Sequence, residues 1–295
     1  MPFRTDLAIE AAQPHMGKLP PGVVQKEYAT GQLTINTVEI SSAEGARLVG
    51  KPAGSYTTIT SPPLHSSAVL DEEEIDAIAS RIRDMLPREG LVLVVGLGNN
   101  DITPDAIGPR CIHQILATRH ISKELSEQSG LGVLRPAAAI APGVLGQTGI
   151  ETSEIIRSIV DDIHPAAVIV VDALAARSAS RLGNTIQISS TGISPGSGVM
   201  NRRKELSQDT LGVPVVSIGV PTVVDANTLA SDLLDCNEED EEKCRELFEP
   251  RGEALMITPR EIDLLISHAC KTLALAINKA LHPQMTMEDI GFLTS

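Results

Sequence analysis

Continuous apolar runs alternate with amphipathic segments along most of the chain after residue 65. Runs of this kind predict strands buried on both faces of a sheet, and they occupy residues 91–95, 137–141, 166–171, 185–188 and 214–220. Apolar residues at helical spacing predict helices over residues 71–86 and 152–163, and they form the apolar face of a last helix over 262–277. The alternation predicts an α/β fold, with a central, mostly parallel sheet flanked by helices.

The two ends of this pattern differ from its middle. Residues 1–65 carry Pro and Gly clusters and short alternating stretches, which predict a mixed strand and loop part of one α/β domain spanning 1–295. The acidic run at 235–249 predicts a solvated surface segment. Near the C-terminus, Thr258 and Glu261 have the spacing of a capping box, which predicts that the last long helix begins there.

Composition narrows the function classes. The 295 residues carry 24 basic and 38 acidic side chains, for a net charge of −14, and only three Phe and two Tyr. Such a chain repels nucleic acid and has too few aromatics to stack a series of bases, so we expect no direct nucleic-acid partner. No membrane partner is expected either. Four cysteines without a CxxC pair favour free thiols and a cytoplasmic protein.

Two aspartates lie where the predicted strands end. Asp172 directly follows the run 166–171, and Asp105 lies a few residues after 91–95, next to Pro104 as the predicted first residue of a helix. In an open parallel sheet, ligands bind at the carboxyl ends of the strands. Paired carboxylates suit peptide hydrolysis, because an ionised one activates water while a protonated one acts as an acid. Helix-dipole or loop hydrogen-bond roles stay open for each, and Asp101 is an alternative partner.

The sequence gives less support to a nucleotide site or a metal site. Gly96 and Gly98 begin a dinucleotide fingerprint, but Asp101 stands where the third glycine belongs and would repel a pyrophosphate. The aspartate pair could hold a metal ion, yet no HExxH motif or Cys/His cluster indicates zinc. We therefore expect no metal and no cofactor.

A Gly-rich stretch at 192–198 leads into the densest group of cations in the chain, Arg202, Arg203 and Lys204. These side chains are candidates for binding an acidic substrate group. A solvated turn before a helix is the alternative.

Several longer strings carry a family resemblance. They are RTDLAIE (residues 4–10), VVGLGNNDITPDAIGPR (94–110), APGVLGQTGIETSEII (141–156), VVDALAARS (170–178), TIQISSTGISPGSGVMNRRKE (185–205), VPVVSIGVPTVVDA (213–226) and ALMITPREID (254–263). In order and content they resemble the germination proteases of spore-forming bacteria, endopeptidases that degrade small acid-soluble spore proteins. The resemblance covers nearly the whole chain.

The resemblance implies a phosphorylase/hydrolase-like fold similar to that of hydrogenase maturation endopeptidases, a homotetramer, an inactive zymogen and a place in the spore core. It implies that Asp105 and Asp172 form a catalytic pair of aspartic type. Family substrates are cleaved next to a Glu, which Arg202, Arg203 or Lys204 would bind. Two departures are that only three residues precede RTDLAIE and that the region 226–254 is short.

Two alternatives remain. A hydrogenase-maturation type of endopeptidase would use the acidic pair to bind nickel, with a third ligand such as His. A non-catalytic nucleotide-binding module would use the Gly-rich turn after residue 95.

Overall fold

A computed structural model describes residues 5–12, 19–66, 70–128, 131–194, 204–226, 228–229 and 255–294. The acidic segment 235–249 and two of the candidate cations, Arg202 and Arg203, lie outside the described residues.

The described strands form one nine-stranded sheet. They are β1 (Val23–Thr30), β2 (Leu33–Ile40), β3 (Gly54–Thr60), β4 (Val92–Gly96), β5 (Ala137–Ile140), β6 (Ala167–Ala176), β7 (Thr185–Ser189), β8 (Val215–Asp225) and β9 (Met256–Ile257). Their order across the sheet is β1-β2-β3-β7-β8-β6-β4-β5, and β9 pairs with β8.

The sheet is mixed rather than mostly parallel. Parallel pairing is confined to β5–β4, β4–β6 and β6–β8, while β1–β2, β2–β3, β3–β7, β7–β8 and β8–β9 pair antiparallel. In residues 1–65, the two residues between β1 and β2 suffice only for a hairpin, whereas a parallel pair needs a long crossover. Further along the chain, β7 runs antiparallel to both of its neighbours, β3 and β8, and β9 runs antiparallel to β8. The predicted α/β class, with a central sheet flanked by helices, is confirmed.

Helices cover both faces of the parallel part. The described helices are α1 (Ala8–Ala12), α2 (Ala43–Val49), α3 (Glu72–Asp84), α4 (Ile107–Ile112), α5 (Lys123–Gln128), α6 (Leu145–Thr148), α7 (Thr152–Ile163), α8 (Gln208–Leu211), α9 (Ile262–Leu281) and α10 (Met287–Thr294). Ile169 and Val171 of β6 pack in the core with α3, α4 and α9, and Val168 and Val170 pack in the core with α7. Side chains alternate along a strand, so Asp172 lies on the α7 face.

Local sequence signals account well for two helices. α7 occupies the predicted range, and α3 begins after Asp71, whose Oδ1 accepts a hydrogen bond from the Glu74 N–H at 2.9 Å. The capping box predicted at Thr258 is wrong. α9 begins at Ile262, and the Thr258 hydroxyl instead donates to the Thr222 carbonyl of β8 at 3.0 Å. That tertiary bond uses the group that would have capped the helix.

Among the described helices, α9 is long and apolar enough to cross a membrane, with a mean hydropathy of 1.2 over 18 residues. However, 67% of that window is buried inside the structure. Its apolar residues pack against α3 and the sheet, as in the core helix of a globular domain.

His282, which follows α9, predicts a pH dependence of stability. It is fully buried, neither ring nitrogen has a hydrogen-bond partner among the described residues, and burial together with the Arg135 charge lowers its pKa to about 4. An unfolded His takes up a proton near pH 6.5, so above that pH the residue is neutral in both states and its titration does not change the stability. Stability falls between pH 6.5 and 4, by about 3 kcal/mol in all. Urea unfolding at several pH values measures this loss.

The His282→Leu variant removes the titrating group, so its unfolding free energy should decline less than that of the parent between pH 6.5 and 4. His120 is exposed, and His120→Gln serves as the matched control with the parent slope. Equal slopes for the parent and His282→Leu would contradict the assignment.

Candidate active site

Asp105 lies in a tight turn between β4 and α4. Residues Thr103–Asp105 form a single 3₁₀ turn, so Pro104 lies within a turn and does not begin the predicted helix, which starts at Ile107. The half-buried Asp105 carboxylate accepts a hydrogen bond through Oδ2 from the Asn99 N–H at 2.8 Å. The side chain thereby closes its own loop, which holds the carboxylate at the end of β4.

Three glycines let this loop pack with its backbone directly against the first turn of α4. A Cβ on Gly108 would lie 2.1 Å from the Leu97 carbonyl oxygen, and one on Gly96 would lie 2.2 Å from the Gly108 carbonyl oxygen. Gly98 has φ +115°, and its Cβ would lie 2.0 Å from the Asp105 carbonyl oxygen. Close backbone packing therefore accounts for the Gly-Leu-Gly sequence that resembled a nucleotide fingerprint.

Asp172 lies inside β6 and not after it, because the strand runs on to Ala176. The last residue of β4, Gly96, pairs with Val171, so Asp172 is the first residue of β6 beyond its neighbour's end. Its side chain is buried, and its Oδ1 accepts a hydrogen bond from the Ala173 N–H at 2.9 Å. The predicted strand end was wrong, because β6 continues for four residues after Asp172; the residue instead lies where β4, the parallel neighbour of β6, has ended.

A cavity of about 330 Å³ brings the predicted site residues together. Asp105, Asp172 and Lys204 all line it. The Lys204 ammonium also forms an exposed ion pair with Glu154 at 3.4 Å. Asp101 does not line this cavity; it is exposed, and its carboxylate accepts a hydrogen bond from Gln147 at 3.0 Å.

The cavity wall also contains residues that sequence reasoning missed. Asp6 lines it, as do Ser153 at the start of α7 and Thr222 of β8. The Ser153 and Thr222 hydroxyls are buried without a partner among the described residues, whereas buried polar groups are normally satisfied by protein, water or ligand. Asp6 stands in the RTDLAIE string, but no local pattern marks Thr222, because only folding brings β8 to the cavity.

The two described thiols are not placed for nucleophilic chemistry. Burial raises the pKa of Cys111, and it raises the pKa of Cys270 to about 12, so both remain protonated and poorly nucleophilic. Within the described ranges, no group of three or more His, Cys, Asp or Glu side chains is placed to hold a metal ion.

Gly108 provides a direct test of the close packing. The Gly108→Ala variant should lose about 2 kcal/mol of unfolding free energy or more, because its Cβ would overlap the Leu97 backbone. The matched control is Gly146→Ala in α6, where no atom lies within 4 Å of the added Cβ. We expect the control to remain within about 1 kcal/mol of the parent in chemical denaturation. Equal stabilities for the two variants would contradict the packing argument.

Comparison with known proteins gives a consistent result. A family model described as germination protease matches residues 6–237 and 235–294. Curated relatives named germination protease include one from Clostridium perfringens, 42% identical over 318 residues with 98% of each chain covered. Another, from Caldanaerobacter subterraneus, is 42% identical with 99% of this chain and 98% of the relative covered. One from Priestia megaterium is 37% identical, with 99% and 96% covered.

Among solved structures, a nickel–iron hydrogenase maturation protease from Thermococcus kodakarensis is similar at 16% identity and a TM-score of 0.35, covering 68% of this chain and 98% of the other. This likeness is too distant to bear on function. The matched family model and the near full-length relatives establish the family: the chain belongs to the germination proteases, which are endopeptidases of spore germination.

Proposed function

We propose that this endopeptidase initiates degradation of small acid-soluble spore proteins, with Asp105 and Asp172 sharing one catalytic water. The observation that carries the proposal is the cavity of about 330 Å³. Asp105 and Asp172 both line it, from separate elements, at the point where β4 ends beside β6. Hydrolysis of a peptide needs a base for the water and an acid for the leaving nitrogen. Two carboxylates around one cavity supply both roles.

The proposed chemistry proceeds in two steps. The ionised carboxylate takes a proton from the water, and the water oxygen attacks the scissile carbonyl carbon. At the same time the protonated carboxyl donates its proton to the carbonyl oxygen. The C–N bond of the resulting tetrahedral intermediate then breaks as the nitrogen receives the proton that the first carboxylate took from the water. The second carboxylate recovers its proton from the hydroxyl that becomes the new carbonyl oxygen. The Asp172 side chain is buried and that of Asp105 is half-buried, so the protein shields both in part from bulk water.

The substrate group next to the scissile bond is proposed to be acidic. Lys204 supports this, because it lines the same cavity and its exposed pair with Glu154 is cheaply exchanged for a substrate carboxylate. Arg202 and Arg203 are proposed to act with it. We further propose a single α/β domain, assembly as a homotetramer, synthesis as a zymogen and a location in the spore core, in line with the family.

Separate Asp105→Asn and Asp172→Asn variants test the catalytic pair. Each keeps the shape of the side chain but removes a charge or an exchangeable proton, so each should lower kcat on a purified small acid-soluble spore protein by about 10³-fold. Asp101→Asn is the matched control and should retain full activity, since Asp101 lies outside the cavity wall. Circular dichroism and thermal unfolding establish that each variant is folded.

Full cleavage by either folded Asn variant would contradict the pair. The same assay in excess chelator separates the nickel-dependent alternative, since we expect undiminished activity there. Loss of activity on chelation, with recovery on adding nickel, would favour the alternative.

A further inference from the structure

We propose that the substrate binds as an extended chain that passes beside β6, with one of its main-chain N–H groups donating to the Ala173 carbonyl. The docking position is a slot beside β6, bounded at one end by Leu97 and at the other by Asp6. The inference rests on the proposed peptide hydrolysis and specifies how this site holds an extended chain. Main-chain hydrogen bonds between an extended peptide and a strand are a recurrent means of peptide binding.

The hydrogen-bonding direction of β6 alternates from residue to residue. The Val168 N–H donates to the Pro214 carbonyl at 2.9 Å, so even-numbered residues of β6 face β8. The Val171 carbonyl accepts from the Leu97 N–H at 2.8 Å, so odd-numbered residues face β4. Since β4 ends at Gly96, the main-chain groups of the next odd-numbered residues extend beyond that strand.

Asp6 occupies the second of these odd positions. Its N–H donates to the Ala175 carbonyl and its Oδ2 accepts from the Ala175 N–H, both at 2.9 Å. The Asp6 carbonyl is in turn held by the Gln187 amide at 2.9 Å and the Lys51 ammonium at 3.0 Å. The N-terminal segment therefore forms a fixed end to the slot.

Ala173 lies between the two occupied positions. Its N–H donates to Asp172 Oδ1 at 2.9 Å, and no loop N–H or side chain in the described part of the chain donates to its carbonyl. A strand carbonyl that has no neighbouring strand accepts readily from the main chain of a bound peptide. Ala173 also lines the cavity together with Asp105 and Asp172. A chain paired with Ala173 therefore passes directly beside both carboxylates.

The slot admits one pairing only, which gives a sharp test. A peptide covering the mapped cleavage site of a small acid-soluble spore protein is made as a series, with one amide at a time replaced by an ester. An ester removes the N–H donor with little change in shape. We expect KM to rise about tenfold at a single position and to change less than threefold at the amides on either side.

Variants of Asp6 test the same proposal by changing the enzyme instead of the peptide. Asp6→Ala removes the acceptor for the Ala175 N–H and should raise KM for the all-amide peptide several-fold. Asp6→Asn retains an acceptor oxygen and should restore a KM near that of the parent. If Asp6→Ala only weakened the fold, its unfolding temperature would fall, and the same ester positions would raise KM as in the parent enzyme.

The outcomes separate the two proposals. Cleavage of every ester peptide with unchanged KM overturns β6 docking and leaves the proposed function standing. Sensitivity at two or more positions overturns the single-pairing slot. Failure of the parent enzyme to cleave the all-amide peptide or the intact spore protein overturns the proposed function, and the docking inference with it.

Discussion

The candidate site depends on one steric constraint, the contact of the β4–α4 loop backbone with the first turn of α4. Gly96, Gly98 and Gly108 leave no room for a Cβ, and any added carbon would overlap a main-chain carbonyl oxygen. This contact places the turn that carries Asp105 at the end of β4, beside the continuation of β6. The position of the carboxylate is thus set by backbone packing, which tolerates little adjustment.

The N-terminal segment stabilises the part of β6 that extends beyond the end of β4. Asp6 pairs with Ala175, and the Glu10 carboxylate accepts from the Arg177 N–H at 2.8 Å and from the Ser178 N–H at 3.1 Å. These bonds stabilise the part of β6 that has lost β4 as a neighbour. The antiparallel part of the sheet contributes to this placement, because Gln187 of β7 bonds the Ala8 N–H and the Asp6 carbonyl and so helps to hold Asp6 in the cavity wall.

Elements governed by local periodicity could be predicted from the sequence. α7 matches its expected bounds, because amphipathic spacing is a property of a short window of sequence. Asp105 and Asp172 could also be found, since each follows a buried apolar run. Features decided by distant contacts could not: the length of β6, the start of α9 and the antiparallel pairing of β3 with β7 depend on partners far away in sequence. Asp101 and Asp105 look alike locally, and only the fold separates them.

The central claim is that Asp105 and Asp172 act as one unit on one water. A double-mutant cycle on kcat/KM, comparing Asp105→Asn, Asp172→Asn and the double variant, tests it most directly. When two groups serve the same step together, removing both lowers kcat/KM little more than removing either one. The account predicts a double variant about as inactive as each single one. Losses that multiply in the double variant would show that the two carboxylates act independently and would contradict the account.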